Sequence, residues 1–306
     1  MTLPLPDKVE AGNVRWAYAV PIAAVHVLAL AAFVPWLFTW TGLIVMVLGV
    51  HVFGQAINVC YHRLLTHRSF RVPRWLERVF VIVALCCMQD TPGKWVATHR
   101  FHHLHSDEKP DPHSPLVNFL WAHVGWLVIH NPATHNVAAY EKYARDLLEE
   151  PFYMRLEKSL TWVWIYVAHA ALFFVAGAAL GWLSGGEALR VGLSLLVWGV
   201  YVRTVLVWHI TWSVNSLTHL FGYKTYTTGE NSRNNWFVAL ITVGEGWHNN
   251  HHFDPASASV QHRWWEIDIS YYEIKLLQWL GLATDVTPPK HRRLACRAVD
   301  QVAQVS

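Results

Sequence analysis

The sequence predicts an all-α integral membrane protein, with four transmembrane helices and a helical cap on one side of the bilayer. Only 15% of its 306 residues are charged and 53% are hydrophobic, whereas soluble domains carry about a quarter charged residues. Two long stretches contain no Asp, Glu, Lys or Arg. Nine of the 20 histidines form dense clusters at or beyond the ends of the apolar segments.

The first charge-free stretch, between Arg15 and Arg63, is long enough for two spans of about 20 residues each. Pro35 and the residues that follow it mark a turn, so we expect a helical hairpin over 16–38 and 41–61. A signal peptide is disfavoured because the apolar segment is too long and lacks a small-residue cleavage pattern. Its length also argues against helices buried in a soluble core.

The second charge-free stretch predicts a span over 160–183, which Gly185 and Gly186 terminate. A fourth span is predicted over 189–216, with Arg203 inside it. An ionisable residue at that depth normally faces protein or a polar cavity. A functional role and a purely structural pairing both remain open for Arg203.

The distribution of basic residues predicts the orientation in the bilayer. The links between paired spans carry almost none, whereas the N-terminus and the segments 62–158 and 217–306 carry nearly all. Because positive segments stay in the cytoplasm, we expect both termini and both segments there. The chain is therefore interpreted as a single domain, 1–306, whose cytosolic cap consists of 62–158 and 217–306.

Charge and cysteine content exclude two classes of function. A net charge of +3, without a compact run of Lys and Arg, argues against nucleic-acid binding. Cys60, Cys86, Cys87 and Cys296 lack the spacing of a thiolate metal site or a disulfide framework. The first three lie in apolar sequence and are expected to act as small hydrophobic residues.

Three histidine clusters and one further pair form the candidate metal ligands. They are His62 and His67; His99, His102 and His103; His248, His251 and His252; and the pair Asn215 and His219. Residues four apart share a helix face and residues three apart lie near it, so a helix can aim two or three imidazoles at one point. His62 and His219 fall at the predicted cytosolic ends of the second and fourth spans, so the groups are expected to converge at the membrane–cytosol boundary.

Nine histidines are too many for one metal ion and suit two ions with four or five nitrogen ligands each. Imidazole binds Fe, Cu, Zn and Ni, but zinc is redox-inert and usually four-coordinate. No H-E-x-x-H motif of a zinc protease is present. We therefore expect two non-haem iron ions, so that the predicted helical cytosolic cap holds a di-iron site.

Other polar residues are interpreted more conservatively. Carboxylates close to the clusters are candidates either for hydrogen bonds to the ligand imidazoles or for solvated positions on the cap; they are Asp107, Asp111, Glu230 and Glu245. Isolated histidines are interpreted as core or surface residues; they are His26, His51, His169, His262 and His291.

Around the histidine clusters the sequence resembles the membrane fatty acid desaturases of the stearoyl, delta-9 type. The matching segments are HRLLTHRSF, HRFHHLHSDEKPDPHSP, AHVGWL, TWSVNSLTHLFG, GEGWHNNHH and WWEIDIS. The resemblance covers nearly the whole chain after residue 45. Three histidine boxes in this order and spacing are specific, and the NSxxH element narrows the match to delta-9 acyl desaturases.

The resemblance implies an O₂-dependent enzyme that inserts a cis double bond, at the delta-9 position, into a long-chain saturated acyl substrate. The nine clustered histidines would hold two irons, with Asn215 reaching the second through a water. Gln89, Trp95, Thr211 and Trp212 match positions that line the bend of the acyl tunnel. Without the resemblance, these four would be interpreted as ordinary core residues.

One departure from the family pattern concerns the head group. Animal acyl-CoA desaturases carry an Arg-Asp pair before the second histidine box, where this chain has Ala97 and Thr98. The segment WVATHR is closer to the cyanobacterial and bacterial branch, which includes enzymes acting on glycerolipids. The substrate is thus an acyl-CoA or a glycerolipid, and we expect a multi-pass protein of a bacterial inner membrane.

The electrons for such a reaction must come from another protein. The sequence has no flavin or dinucleotide fingerprint, no cysteine cluster for an iron–sulfur centre and no haem-binding His-Pro-Gly-Gly segment. A ferredoxin, a rubredoxin-like protein or a cytochrome b5, with its reductase, is the expected donor.

Two alternatives remain. A di-iron hydroxylase or other oxygenase of the same superfamily shares the first hydrogen abstraction and differs in its product. A membrane metal-binding or transport protein would place ionisable groups within the spans, whereas here most of the clustered histidines lie at span ends or in the cap.

Overall fold

The computed structural model describes residues 2–290 and 293–294, and all regular secondary structure in this part of the chain is helical. The α-helices are α1 Trp16–Ala29, α2 Trp40–Gln55, α3 Arg74–Leu85, α4 Pro92–His105, α5 Trp126–Val128, α6 Val137–Tyr143, α7 Arg145–Leu148, α8 Pro151–Lys158, α9 Thr161–Leu183, α10 Ala188–Leu196, α11 Arg203–Leu217, α12 Trp236–Ile241, α13 His248–Phe253 and α14 Ile269–Trp279. The shorter helical segments are 3₁₀ at Leu30–Phe33 and Pro35–Leu37 and π at Ala56–Thr66, Trp121–Gly125 and Val197–Val202.

Within the described residues, four continuous helical runs are long and apolar enough to cross a membrane. They are Trp16–Phe33, Trp40–Thr66, Thr161–Leu183 and Ala188–Leu217. The predicted all-α membrane fold is thereby confirmed.

Two of the helix ends differ by five residues from the predicted bounds, for local reasons, and the other bounds agree to within one residue. The first run ends at Phe33 instead of 38, because Val34 is extended and Pro35, which has no N–H to donate, begins a separate 3₁₀ turn. The second run passes 61 and ends at Thr66, and its last turns are π-helical. His62 therefore projects from within the helix.

Exposed tryptophans mark both ends of the spans. Trp36, Trp40 and Trp182 lie beside the two short links, and Trp16 and Trp164 lie near the opposite ends. Indole rings favour the membrane–water interface, since one edge is apolar and the N–H can contact water. Their distribution is that of the aromatic belts of a spanning bundle.

The hairpin of α9 and α10 is packed through glycines. A Cβ on Gly177 would lie 2.8 Å from the Val191 carbonyl oxygen and 3.0 Å from the Cα of Gly192. Gly185 and Gly186, with φ of 135° and 97°, turn the chain between the two helices. In lipid, small residues let two backbones approach and gain van der Waals contact.

The cap packs around the π-helical end of the second span. The core of this region includes Ile57, Tyr61, Phe70 and Leu85, together with residues of α4, α8 and α14. Cys60, Cys86 and Cys87 are buried in it as free thiols, as expected for small hydrophobic residues, whereas Cys296 lies outside the described residues.

The glycine contact gives a stability prediction. Replacing Gly177 by Leu is expected to destabilise the protein by about 1–3 kcal/mol, the usual cost of overpacking, because α10 must move away. Ala176→Leu is the matched control, since Ala176 is exposed on the neighbouring position of the same helix. The measurement is the thermal unfolding midpoint in detergent, and equal midpoints for the two variants would contradict the packing argument.

Candidate metal centre

The clustered histidines form two neighbouring groups where the cap meets the spans. The ligating nitrogens within each group lie within 4.8 Å of one another. The first group contains His62, His67, His99, His103 and His251, and the second contains His102, His219, His248 and His252. Residues far apart in the sequence are thus brought to two points.

The two short helices α4 and α13 each contribute to both groups. The pair His99 and His103 of α4 belongs to the first group, while His102 belongs to the second. On α13 the arrangement is reversed, because His248 and His252 belong to the second group and His251 to the first. The spacing predicted that the histidines of each cluster converge on one point. Instead, the i, i+4 pair and the i+3 histidine of one helix serve different groups, which accounts for the repeated H-x-x-H-H spacing.

The imidazoles turn their Nε2 atoms toward one another. In the first group, His251 Nε2 is 3.1 Å from His62 Nε2 and 2.9 Å from His103 Nε2, and the latter is 3.1 Å from His99 Nε2. In the second group, His252 Nε2 lies 3.0 Å from His248 Nε2. The buried Nε2 atoms of His67 and His219 have no hydrogen-bond partner among the described residues.

This arrangement fits metal ions better than hydrogen bonding among the rings. A neutral imidazole has one N–H, and the opposite nitrogen carries a lone pair. Several convergent nitrogens cannot all be satisfied by their neighbours, and a cation at each centre would accept the lone pairs together. Nitrogen-rich sites of this kind suit iron, copper, zinc and nickel.

Carboxylates contact the Nδ1 atoms of three imidazole rings, on the side opposite the convergent Nε2 atoms. His62 Nδ1 lies 2.9 Å from Glu245, His102 Nδ1 2.9 Å from Asp111, and His219 Nδ1 2.9 Å from Asp107. Such contacts place the N–H on Nδ1, leave the Nε2 lone pair free and fix the ring orientation. The fourth candidate, Glu230, lies 3.7 Å from His252 Nδ1.

Burial keeps most of these imidazoles neutral. It lowers the pKa of His67, His99 and His248 well below the usual range, and the neighbouring histidines lower it further. His219 differs: burial would lower its pKa, but its hydrogen bond to Asp107 and the charge of that carboxylate raise it overall. Neutral imidazole is the form that binds a metal ion.

Two arginines inside the histidine boxes, Arg63 and Arg100, also contribute to the site, although no role there was predicted for them. Arg63 is buried and forms hydrogen bonds with Glu245 and Asp268, so that it holds the carboxylate that contacts His62. Arg100 donates to the backbone oxygens of Leu65 and Thr66, which ties α4 to the first histidine segment. Their position directly after His62 and His99 is the signal that could have identified them.

The other histidines have their own partners. His51 pairs with Glu273 at 2.8 Å, and His169 lies 2.9 Å from Arg203 Nη2. His26, His209 and His123 form a hydrogen-bonded chain. His262 contacts the Tyr226 hydroxyl, and His291 lies outside the described residues.

A cavity of about 420 Å³ adjoins the first group of histidines. All four predicted tunnel residues, Gln89, Trp95, Thr211 and Trp212, line it, and Asn215 does so as well. Trp95 stacks on His99 with a centroid distance of 4.9 Å, so the cavity wall contacts the metal centre directly. Of the two positions before the second histidine box, Thr98 lines the cavity and Ala97 is buried.

The fold and the site together define an integral-membrane protein with a histidine-rich centre that can bind metal ions. The model of the fatty acid desaturase family matches residues 35–279, and the chain belongs to that family. It is a fatty acyl desaturase, as the resemblance predicted.

The curated relatives carry names consistent with this family. An sn-1 stearoyl-lipid 9-desaturase of Anabaena variabilis is 42% identical over 275 residues, which cover 90% of this chain and 94% of the relative. An sn-2 palmitoyl-lipid 9-desaturase of a Nostoc species is 39% identical, with coverage of 93% and 95%. An acyl-CoA 5-desaturase of Anemone leveillei is 41% identical, with coverage of 95% and 88%. The hydroxylase alternative is not favoured by these names.

The carboxylate contacts give a prediction on metal binding. Asp107→Asn keeps the shape of the side chain and tolerates the left-handed backbone at this position, where φ is 59°. Its loss of charge beside His219 is expected to weaken metal binding about 10–100-fold. The measurement is metal content during titration with a chelator. Glu108→Gln is the control, because Glu108 is exposed and pairs with His105, which belongs to neither group; equal metal loss in both variants would contradict the prediction.

Proposed function

We propose that this protein is a di-iron acyl-lipid desaturase that introduces a cis double bond at the delta-9 position of a saturated chain. The observation that carries the proposal is the pairing of two imidazole groups with a cavity whose wall, Trp95, stacks on one of the ligands. In this proposal the five histidines of the first group would hold one iron. The four of the second group would hold the other, and Asn215 would contribute through a water.

The iron pair would supply the reduction of O₂, coupled to removal of two hydrogen atoms from adjacent CH₂ groups. The overall balance is one saturated chain, O₂, two electrons and two protons, giving one alkene and two waters. All other contributions come from the protein, which binds and orients the chain and keeps water away from it. Zinc is less suitable because it is redox-inert, and iron is proposed over copper because the chain belongs to the fatty acid desaturase family, for which the resemblance implies iron.

The cavity residues are suited to fixing the chain beside the first group. Trp95 and Trp212 provide flat apolar walls, and Gln89 Nε2 donates to the Thr211 hydroxyl at 2.9 Å. That hydrogen bond links two polar side chains of the lining and fixes their orientation. Fixed walls restrict which carbons can approach the histidines.

A membrane glycerolipid is the proposed acyl donor. The cavity is bounded by the ends of two spans, through Tyr18 and Ile22 of α1 and Leu160 and Trp162 near the start of α9. A chain entering between these helices would come directly from the bilayer leaflet. The Ala97–Thr98 sequence supports the same view, because the charged pair associated with CoA enzymes is absent there. Two of the relatives described above are named as lipid 9-desaturases.

We propose that residues 1–306 form one domain, with the cap and both termini on the cytoplasmic side of a bacterial inner membrane. The basic residues concentrate in those segments.

Electrons are proposed to come from a ferredoxin, a rubredoxin-like protein or a cytochrome b5 with its reductase, because the sequence holds no motif for an electron carrier of its own.

Expression in a bacterial host tests this function. We expect gas chromatography–mass spectrometry to detect a new monounsaturated acid with its double bond at carbon 9, which is missing from a strain expressing His103→Ala. Co-expression of a ferredoxin and its reductase removes electron supply as a limit. A hydroxylated acid would contradict desaturation.

The same experiment separates the two head groups when it is repeated in a host without acyl-CoA synthetase. An acyl-lipid enzyme still forms its product there, and intact-lipid mass spectrometry should locate the new double bond in a glycerolipid. Loss of the product in this host alone would contradict the lipid substrate while leaving desaturation intact.

A further inference from the structure

One wall of the acyl cavity is a tight turn, residues 86–90, between α3 and α4. Met88, Gln89 and Asp90 of this turn line the cavity. Met88 and Asp90 have φ values of 50° and 69°, in the left-handed region that residues other than glycine adopt rarely. Strained backbone of this kind persists only where its surroundings fix it, and it is concentrated at ligand-binding and active sites.

Side chains of the fourth span hold this turn in place. Three contacts join them: Arg203 Nη1 to the Cys86 carbonyl oxygen at 2.9 Å, Trp208 Nε1 to the Cys87 carbonyl oxygen at 2.7 Å, and Gln89 Nε2 to the Thr211 hydroxyl at 2.9 Å. On its other side, the Tyr18 hydroxyl donates to the Asp90 carboxylate at 2.8 Å. The left-handed residues are therefore flanked by anchors on both sides.

Arg203 is the most unusual of these anchors. It is fully buried, and within the described part of the chain its guanidinium contacts no carboxylate. Its partners are two backbone carbonyl oxygens, the imidazole of His169 and the ring of Phe53, whose centroid lies 3.9 Å away. Burying a charge without an opposite charge is unfavourable, so a hydrophobic residue would make a more stable span.

The fourth span also departs from α-helical geometry directly before Arg203. The π-helical segment Val197–Val202 ends where Arg203 begins, and π-helical turns occur frequently at functional sites. The widened turn changes the direction in which later side chains leave the helix. Arg203, Trp208 and Thr211 then all contact the turn 86–90.

We propose that Arg203 is a positioning residue that sets where the acyl chain bends, and thereby which carbons are desaturated. The proposal rests on the function proposed above. Met88 and Gln89 line the cavity but Arg203 does not, so the guanidinium acts on the substrate through the turn. Without its hydrogen bond to Cys86, the left-handed residues relax toward ordinary backbone conformations. The wall then moves, and a different pair of CH₂ groups lies beside Trp95.

The ratio of positional isomers tests this role, because it does not depend on how much protein accumulates. Arg203→Gln is expected to increase the fraction of double bonds at positions other than the main one by about tenfold, since a shift near 1 Å is enough to change rates strongly. Arg203→Lys should behave in the same way, because a compact ammonium cannot contact two carbonyl oxygens and the His169 imidazole in the geometry of the planar guanidinium. The isomers are located by gas chromatography–mass spectrometry of the derivatised acids.

Two further variants complete the test. Met88→Ala alters the cavity wall directly and is expected to change the isomer ratio with Arg203 intact. Arg190→Gln is the matched control, because Arg190 lies on α10 and contacts Glu187 and the Trp36 carbonyl oxygen at the opposite end of the span. Its isomer ratio should equal that of the unaltered protein.

The outcomes are distinguishable. A smaller yield with an unchanged isomer ratio in both Arg203 variants would make Arg203 merely structural and overturn the proposal. If those variants fail to accumulate, an unchanged ratio in Met88→Ala would overturn it, since the turn would then not control the bend. Absence of any monounsaturated product from the unaltered protein would overturn the proposed function, and this inference with it.

Discussion

The structure depends on one recurring contact, in which a buried carboxylate accepts a hydrogen bond from the Nδ1 atom of an imidazole. Asp107, Asp111 and Glu245 each make this contact at 2.9 Å. It directs the opposite nitrogens of His62, His102 and His219 inward, so that rings from three separate segments converge. Without it, several buried polar rings would be free to rotate, and each unsatisfied nitrogen would destabilise the fold.

The surrounding architecture follows from the need to hold these contacts in a dry site. The second span extends into the cap as a π-helix, which brings His62 and Arg63 below the surface of the cap. Arg63 then balances the carboxylates of Glu245 and Asp268. Helix α4 serves both parts of the site, because it carries histidines of both groups and Trp95 of the cavity wall.

Sequence reasoning predicted the spans and the histidine convergence because both depend on local patterns, namely long charge-free runs and i, i+4 spacing. It could not predict that His102 and His251 leave the group formed by the other histidines of their own helices, because that depends on how α4 and α13 face each other. Nor could it predict the role of Arg63, whose partners lie about 180 and 200 residues away in the chain. The strained turn at Met88 was equally hidden, since no glycine marks it.

In the proposed function, each of the two imidazole groups holds one iron. Metal analysis combined with Mössbauer spectroscopy of the purified ⁵⁷Fe-enriched protein tests it most directly. Two irons per chain and two signals of equal area are expected, because five histidines form one group and four form the other. A single metal ion per chain, or two zinc ions from cells supplied with iron, would contradict it.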